Sequence, residues 1–307
     1  MPGKQVTELD TLPSFTDTSL LPVHNGAGLK KGTLTQLSNF LGTKFSNPNL
    51  LINPDFKINQ RGKSTYSSTG AGATVDRWLG TNAKTVVNSD NTVTVSSLSG
   101  TGYFTQHEEN ISYGKHTYSI YVQAITGTVK AFYKSKNSKD IELGTLKQGL
   151  NTFTSVDDGF KSFFLNIAGG SSVTLKYVKV EQGTVATAFI APNMAEEITK
   201  CKRYFQVLNV FEGFVGSVSY WHLYTKFYVG AMRTTSPTIT ANVSSATINL
   251  SGDNTDRKLQ LGNSITPTMY LNELIITHKS ATNFGYNAFT ACIFRSAITY
   301  NVDAEIY

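Results

Sequence analysis

Charged side chains are scarce. Asp, Glu, Lys and Arg make up 16% of the 307 residues, against roughly 25% in an average soluble domain. Long solvent-washed helices depend on such side chains, so the shortage argues against a helical protein. Thr, Ser, Asn and Gly take their place, in keeping with strands, turns and polar contact surfaces. Cysteine is nearly absent: Cys201 and Cys292 exclude a disulfide framework, and neither has neighbours at metal-ligand spacing. Both lie in apolar patterns that suit buried thiols. No apolar run reaches the length of a membrane span, and Met1-Pro2-Gly3-Lys4-Gln5 has no apolar signal region. Folding in a cytoplasm, without membrane insertion, is therefore expected.

Catalytic signatures are missing as well. His24, His107, His116, His222 and His278 stand isolated, with no HExxH helix, nucleophile elbow or phosphate-binding glycine loop. Glu108-Glu109 and Asp157-Asp158 are adjacent pairs, which a strand would point to opposite faces. Asp253-Asn254-Thr255-Asp256 lacks the later bidentate Glu of a calcium loop and reads as a turn. The expectation is a protein that is not an enzyme, with no catalytic residue, no cofactor and no metal. The net charge is +6, but the basic residues are scattered. The densest cluster, Lys134, Lys136 and Lys139, is offset by Asp140 and Glu142. No nucleic-acid partner is expected, whereas a diffuse attraction to an anionic bacterial surface fits.

What is present is mainly β pattern. Residues 1–46 read as short extended pieces and one helix, opened by the capping-box word Thr33-Leu34-Thr35-Gln36 and running to Gly42. So short a unit buries little surface alone and must dock on something. Residues 47–192 alternate as strands do: Tyr118, Ile120, Val122 and Ala124; Val129, Ala131 and Tyr133; Phe163, Leu165 and Ile167. Strands at this spacing predict a jelly-roll β-sandwich. Residues 193–209 predict a linker helix with Asn193 as N-cap and an apolar stripe of Ile198, Cys201, Phe205 and Leu208. That stripe suits either an oligomer seam or packing on its own domain. Residues 210–307 predict a C-terminal β-sandwich.

One ordered set of words adds a resemblance. Asn49-Leu50-Leu51-Ile52-Asn53-Pro54-Asp55-Phe56 reads as a strand and turn leading to a second strand, followed by Asp76-Arg77-Trp78. It closely resembles the opening of jelly-roll modules in bacteriophage tail-fibre and receptor-binding proteins. Val178-Lys179-Val180-Glu181 resembles the closing strand of carbohydrate-binding jelly rolls. Cys201-Lys202-Arg203-Tyr204-Phe205, Met232-Arg233-Thr234-Thr235-Ser236-Pro237-Thr238 and Tyr300–Tyr307 resemble later elements of such fibres. The resemblance implies a homotrimeric virion fibre, assembled in the host cytoplasm. Its N-terminal segment would attach to tail or capsid proteins through Leu21, Val23, Leu34, Leu37 and Phe40. It implies adhesion to the host, with a bacterial surface glycan as partner. A head-fibre or capsid-decoration role and a polysaccharide depolymerase are the alternatives.

The glycan surface expected from the residues is the strand Tyr220–Val229. Tyr220, His222, Tyr224 and Tyr228 fall on one face with Lys226, while Trp221, Leu223, Thr225, Phe227 and Val229 fall on the other. Flat rings with polar tips suit sugar contact, and equally a subunit interface. Arg61, Asp76, Arg77 and Trp78 read as structural, with Trp in the core and the ions paired.

Overall fold

The computed structural model describes residues 20–24, 29–42, 46–156, 159–215, 222–234, 236–242, 245–250, 257–260, 265–270, 273–279 and 291–305. A hairpin of β1 (Leu20–His24) and β2 (Leu29–Thr33) runs straight into α1 (Leu34–Gly42). Thr33 N–H donates to Gln36 Oε1 at 2.8 Å and Gln36 N–H donates to Thr33 Oγ1 at 3.1 Å, the two halves of the capping box. Leu37, Phe40 and Leu41 remain exposed on this helix.

The strands of the central unit are β3 (Thr65–Ser68), β4 (Gly72–Ala73), β5 (Leu79–Thr81), β6 (Ala83–Val87), β7 (Val93–Ser97) and β8 (Gly102–Ser112). They continue with β9 (His116–Thr126), β10 (Val129–Lys134), β11 (Asp140–Thr145), β12 (Gly149–Thr154), β13 (Phe160–Ile167) and β14 (Ser172–Gln182). Two six-stranded sheets result, ordered β11-β10-β13-β8-β5-β4 and β12-β9-β14-β7-β6-β3. Inward residues from both sheets fill one core around Trp78, whose ring stacks on Phe104 at 4.7 Å and meets Phe56 at 5.3 Å. Val129, Ala131 and Tyr133 point inward as their alternation predicts, and so do Phe163, Leu165 and Ile167. Phe164 faces outward yet is nearly covered, because Phe132 stacks on it at 5.2 Å.

The opening word departs from expectation. No regular strand occupies residues 49–62, because Asn53 and Phe56 take φ of 54° and 61°, which breaks an extended run. The segment still lies beside β14: Leu50 N–H donates to Val180 O at 2.8 Å and Val178 N–H to Pro54 O at 2.9 Å. Asn53 is the hub. Its Nδ2 donates to Ile58 O and Asp76 O, its carbonyl accepts from Trp78 Nε1–H, and its N–H donates to Glu197 Oε1 at 2.6 Å.

The linker helix is also shorter than its apolar spacing predicts. α2 covers only Met194–Lys202, capped by Asn193, and β15 (Phe205–Val215) follows at once. The stripe of Ile198, Cys201, Phe205 and Leu208 therefore does not run along one helix. Cys201 and Phe205 are buried within the chain itself, as packing on its own domain would have them, and Ile198 and Leu208 are half-buried. Tertiary contacts override the helical spacing here: Tyr204 packs under the Arg77 guanidinium at 3.5 Å, Phe205 under that of Arg61 at 3.7 Å, and Ala304 N–H donates to Tyr204 O at 2.7 Å.

Beyond β15 come β16 (His222–Tyr228), β17 (Thr238–Ala241), β18 (Ser245–Leu250), β19 (Arg257–Gln260), β20 (Ile265–Tyr270), β21 (Glu273–Lys279) and β22 (Ala291–Asp303). They form a sheet ordered β19-β18-β22-β15-β16-β21-β20, with β17 also on β22. Among the described residues this C-terminal unit is one sheet, where two were expected.

Arg61, Asp76 and Arg77 do not pair with one another. Asp76 accepts from Gln60 N–H and Gln60 Nε2, both at 2.6 Å. Arg77 reaches across to the C-terminal end of the chain: its Nη1 lies 2.7 Å from Glu305 Oε2, both side chains 1% exposed. Arg61 pairs with Asp303 at 3.1 Å. Met232-Arg233 braces the same end, with Arg233 Nε donating to Ala304 O at 2.5 Å. Removing one partner of a desolvated pair strands the other charge. Glu305→Ala should therefore cost about 3–5 kcal/mol in urea unfolding, while Arg77→Met with Glu305→Leu should cost far less. Equal losses from both variants would contradict the pairing.

Glu108, near Arg77, is pushed up to about 7 by burial, with the Arg77 charge opposing and the Glu109 charge reinforcing the rise. Its Oε1 is buried without a hydrogen-bond partner. The folded protein holds this proton to higher pH than the unfolded chain does. Its contribution is thus full below the ordinary carboxylate range and lost as pH rises through about 7. Glu108→Gln should leave the melting temperature unchanged at acid pH and raise it at alkaline pH. An equal shift at both, read by thermal melts, would contradict this.

Candidate functional site

Of the expected glycan surface, Tyr228 is the one residue whose side chain lies among those described, and it is 76% exposed. His222 and Tyr224 sit in β16 by their backbones, with side chains outside the described residues, and Tyr220 lies wholly outside them. The strand keeps the expected facing where it is described: Thr225 and Val229 are buried, and Lys226 is exposed and paired with Glu273 at 2.7 Å. For the expected attachment residues, Leu34 is half-buried and Leu37 and Phe40 are exposed, while the side chains of Leu21 and Val23 lie outside the described residues. Asp253–Asp256 lies outside them too.

A different surface brings polar and aromatic groups together. It is a groove of about 700 Å³ on the outer face of the β12-β9-β14-β7 side of the sandwich, lined by Asp90, Thr92, Tyr121, Gln123, Gln148 and Lys176. The volume is in the range of small-ligand sites. Its construction begins with a double irregularity in the β9–β14 ladder. Thr174 pairs with Ala124 but Leu175 pairs with Val122, so Gln123 is an extra residue on β9. Tyr177 then pairs with Tyr121, so Lys176 is an extra residue on β14. Each bulge turns two successive residues to the same side. On β9 the core set Tyr118, Ile120 and Val122 gives way to outward Gln123 and Ala124; on β14 Val173 and Leu175 give way to outward Lys176 and Tyr177. This is why Ala124 is exposed although strict alternation places it in the core.

Neighbouring rings hold Tyr121 in place. It lies 5.6 Å from Tyr177, which is itself stacked on Phe189 at 4.0 Å, and Lys176 Nζ sits 5.5 Å from the Tyr121 ring centre. The polar rim comes from the β6–β7 turn, closed by Asn88 N–H to Thr92 O at 2.9 Å with Asn91 at φ 63°. Asp90 Oδ1 accepts from Thr92 Oγ1 at 2.7 Å and from Thr92 N–H at 3.1 Å. Asp90 Oδ2 accepts from Gln123 Nε2 at 3.3 Å, and Gln148 Nε2 donates to Gln123 O at 3.1 Å. The Thr92 side-chain bond, then its backbone bond, hold the Asp90 carboxyl below its ordinary range. The groove thus presents one flat ring, one fixed carboxylate, two amides and one ammonium to solvent.

A smaller cavity of about 340 Å³ lies between residues 46–54, residues 189–192 and α2. The one buried ammonium in its lining, Lys179, is already bonded by Ser46, Thr187, Ala188 and Glu181. It is a seam between packed segments. Among the described residues no group of three His, Cys, Asp or Glu side chains is placed to hold a metal ion, and no helix is long and apolar enough to cross a membrane.

No protein family and no curated protein matches the chain. Among solved structures it is similar to a mutant family 29 carbohydrate-binding module, at 12% identity and a TM-score of 0.31, over 43% of this chain and 100% of that one. It is also similar to the tandem of family 22 carbohydrate-binding modules at the N-terminus of Paenibacillus barcinonensis Xyn10C. There the identity is 9% and the TM-score 0.28, over 85% of this chain and 98% of that one.

The strand pattern marks Tyr121 and Gln123 as outward-facing, but nothing local marks Asp90, Gln148 or Lys176, which join them only in the folded sheet, through the bulges and a turn. Thr92→Val removes the first of the bonds on Asp90. It should raise the Asp90 carboxyl pKa toward the ordinary value, as followed by carboxyl NMR titration. An unmoved titration would contradict the assigned bond.

Proposed function

We propose that this protein binds glycan without altering it, through the groove across β12, β9, β14 and β7. The observation that carries the reading is the pair of opposed bulges, which leave Gln123 and Lys176 as unpaired, outward-facing extra residues beside the Tyr121 ring. A pyranose has C–H faces and a rim of hydroxyls. A flat ring meets the first, and the Asp90, Gln148 and Lys176 groups meet the second. In the groove lining Asp90 is the one carboxylate, whereas glycoside hydrolysis commonly uses a pair. That supports binding over cleavage.

Within this reading the chain serves as a fibre or receptor-binding protein of a phage virion, adhering to the bacterial surface as a homotrimer. The ordered resemblance of its sequence words supports that role. So does the exposed apolar face of α1, with Leu37, Phe40 and Leu41, which suits docking on a partner protein. Open sugar sites bind weakly, and several copies on one particle raise avidity through effective concentration.

Affinity electrophoresis in gels loaded with polysaccharide tests the groove. Tyr121→Ala should lose about tenfold or more in affinity, the scale of 1.4 kcal/mol, with an unchanged melting temperature. Undiminished retardation of Tyr121→Ala, or its loss in Tyr228→Ala alone, would move recognition away from the groove. Release of new reducing ends from the bound polysaccharide would replace the binding role with a depolymerase.

A further inference from the structure

Two properties of the groove narrow its ligand. The first is charge. Its lining carries one acid, Asp90, and one base, Lys176, so it offers no net charge to select an ionic polymer. The second is extent. The lining draws on four adjacent strands or their ends, from Gln148 and Gly149 at β12 through β9 and Lys176 of β14 to Asp90 and Thr92 before β7. Three inter-strand gaps at about 4.8 Å span roughly 14 Å, wider than one sugar ring.

Asp90 is the group that discriminates. Its Oδ1 is engaged twice by Thr92 and its Oδ2 once, at 3.3 Å, by Gln123. A carboxylate has about four lone-pair sites, which leaves Oδ2 an acceptor for a hydroxyl. An anionic group brought to the same place would meet a fixed like charge with no donor to offer it. Lys176 on β14 and Gln148 just before β12 are placed to donate to hydroxyl or ring oxygens.

Building on the glycan reading, we infer that the groove takes an uncharged oligosaccharide stretch of more than one ring laid across the strands, with Asp90 accepting hydroxyl protons and setting selectivity against acidic sugars. Asp90→Asn keeps an acceptor for the Thr92 N–H but gives up the charge, so the turn is retained while the discrimination is removed.

The test is affinity electrophoresis against hydroxyethylcellulose, xylan and galactomannan, with alginate and polygalacturonate as acidic probes, at low and at 0.5 M salt, roughly where screening falls to a few ångströms. The expected result is salt-insensitive retardation by at least one neutral polymer and none by the acidic ones. Asp90→Asn should weaken the neutral interaction about tenfold, and hexasaccharides of the bound polymer should compete where its monosaccharide does not. Retardation by acidic polymers alone, abolished by Tyr121→Ala, would overturn the inference and leave the glycan reading standing. Effective monosaccharide competition would overturn the extended ligand. Retardation by none of the five would overturn the glycan reading together with the inference.

Discussion

The contact on which the arrangement of this chain depends is the desolvated pair between Arg77 and Glu305. Two charges withdrawn from water are tolerated when each is engaged by its partner and by further hydrogen bonds. Here Arg77 also donates to His107 O, its backbone N–H donates to Glu305 Oε1, and its guanidinium covers the Tyr204 ring. Residues 228 positions apart in the chain are thereby fixed to each other. The same contact stands at three departures from simple periodicity. It lies where α2 stops at Lys202, where the chain turns through Tyr204 into β15 at Phe205, and where the last residues after β22 meet the sandwich.

That brace lies apart from the groove in kind as well as in residues. The Asp76-Arg77-Trp78 word is spent on structure: Trp78 in the core, Asp76 on Gln60, Arg77 on Glu305. The groove is made by geometry of another sort, two compensating bulges in one ladder. A single bulge would shift the register of every residue beyond it. Placing one extra residue on each strand restores the pairing while changing which side chains face out, so the core of Val178 and Val180 is kept and Lys176 is released to the surface.

The sandwich was legible in sequence because alternation over Val129–Tyr133 and Phe163–Ile167 reflects burial on one face, which is a local property. The capping box at Thr33 and Gln36 and the N-cap Asn193 were legible for the same reason. What escaped was non-local. Spacing alone cannot distinguish a helical stripe through Phe205 from a strand paired with β22, and the choice is made by Arg61, Arg77 and the C-terminal end. The groove escaped because Asp90, Gln123, Gln148 and Lys176 are brought together by a turn and by bulges that exist only once β9 and β14 have paired. Tyr228, singled out by its aromatic face, does lie exposed.

The central claim is that recognition resides on the sandwich face around Tyr121. The most direct measurement is amide chemical-shift mapping during titration with a neutral hexasaccharide of the polymer that retards the protein. The largest changes are expected on residues 90–92, 121–123, 148–149 and 176. Changes confined to β16 around Tyr228, with these amides unmoved, would contradict it.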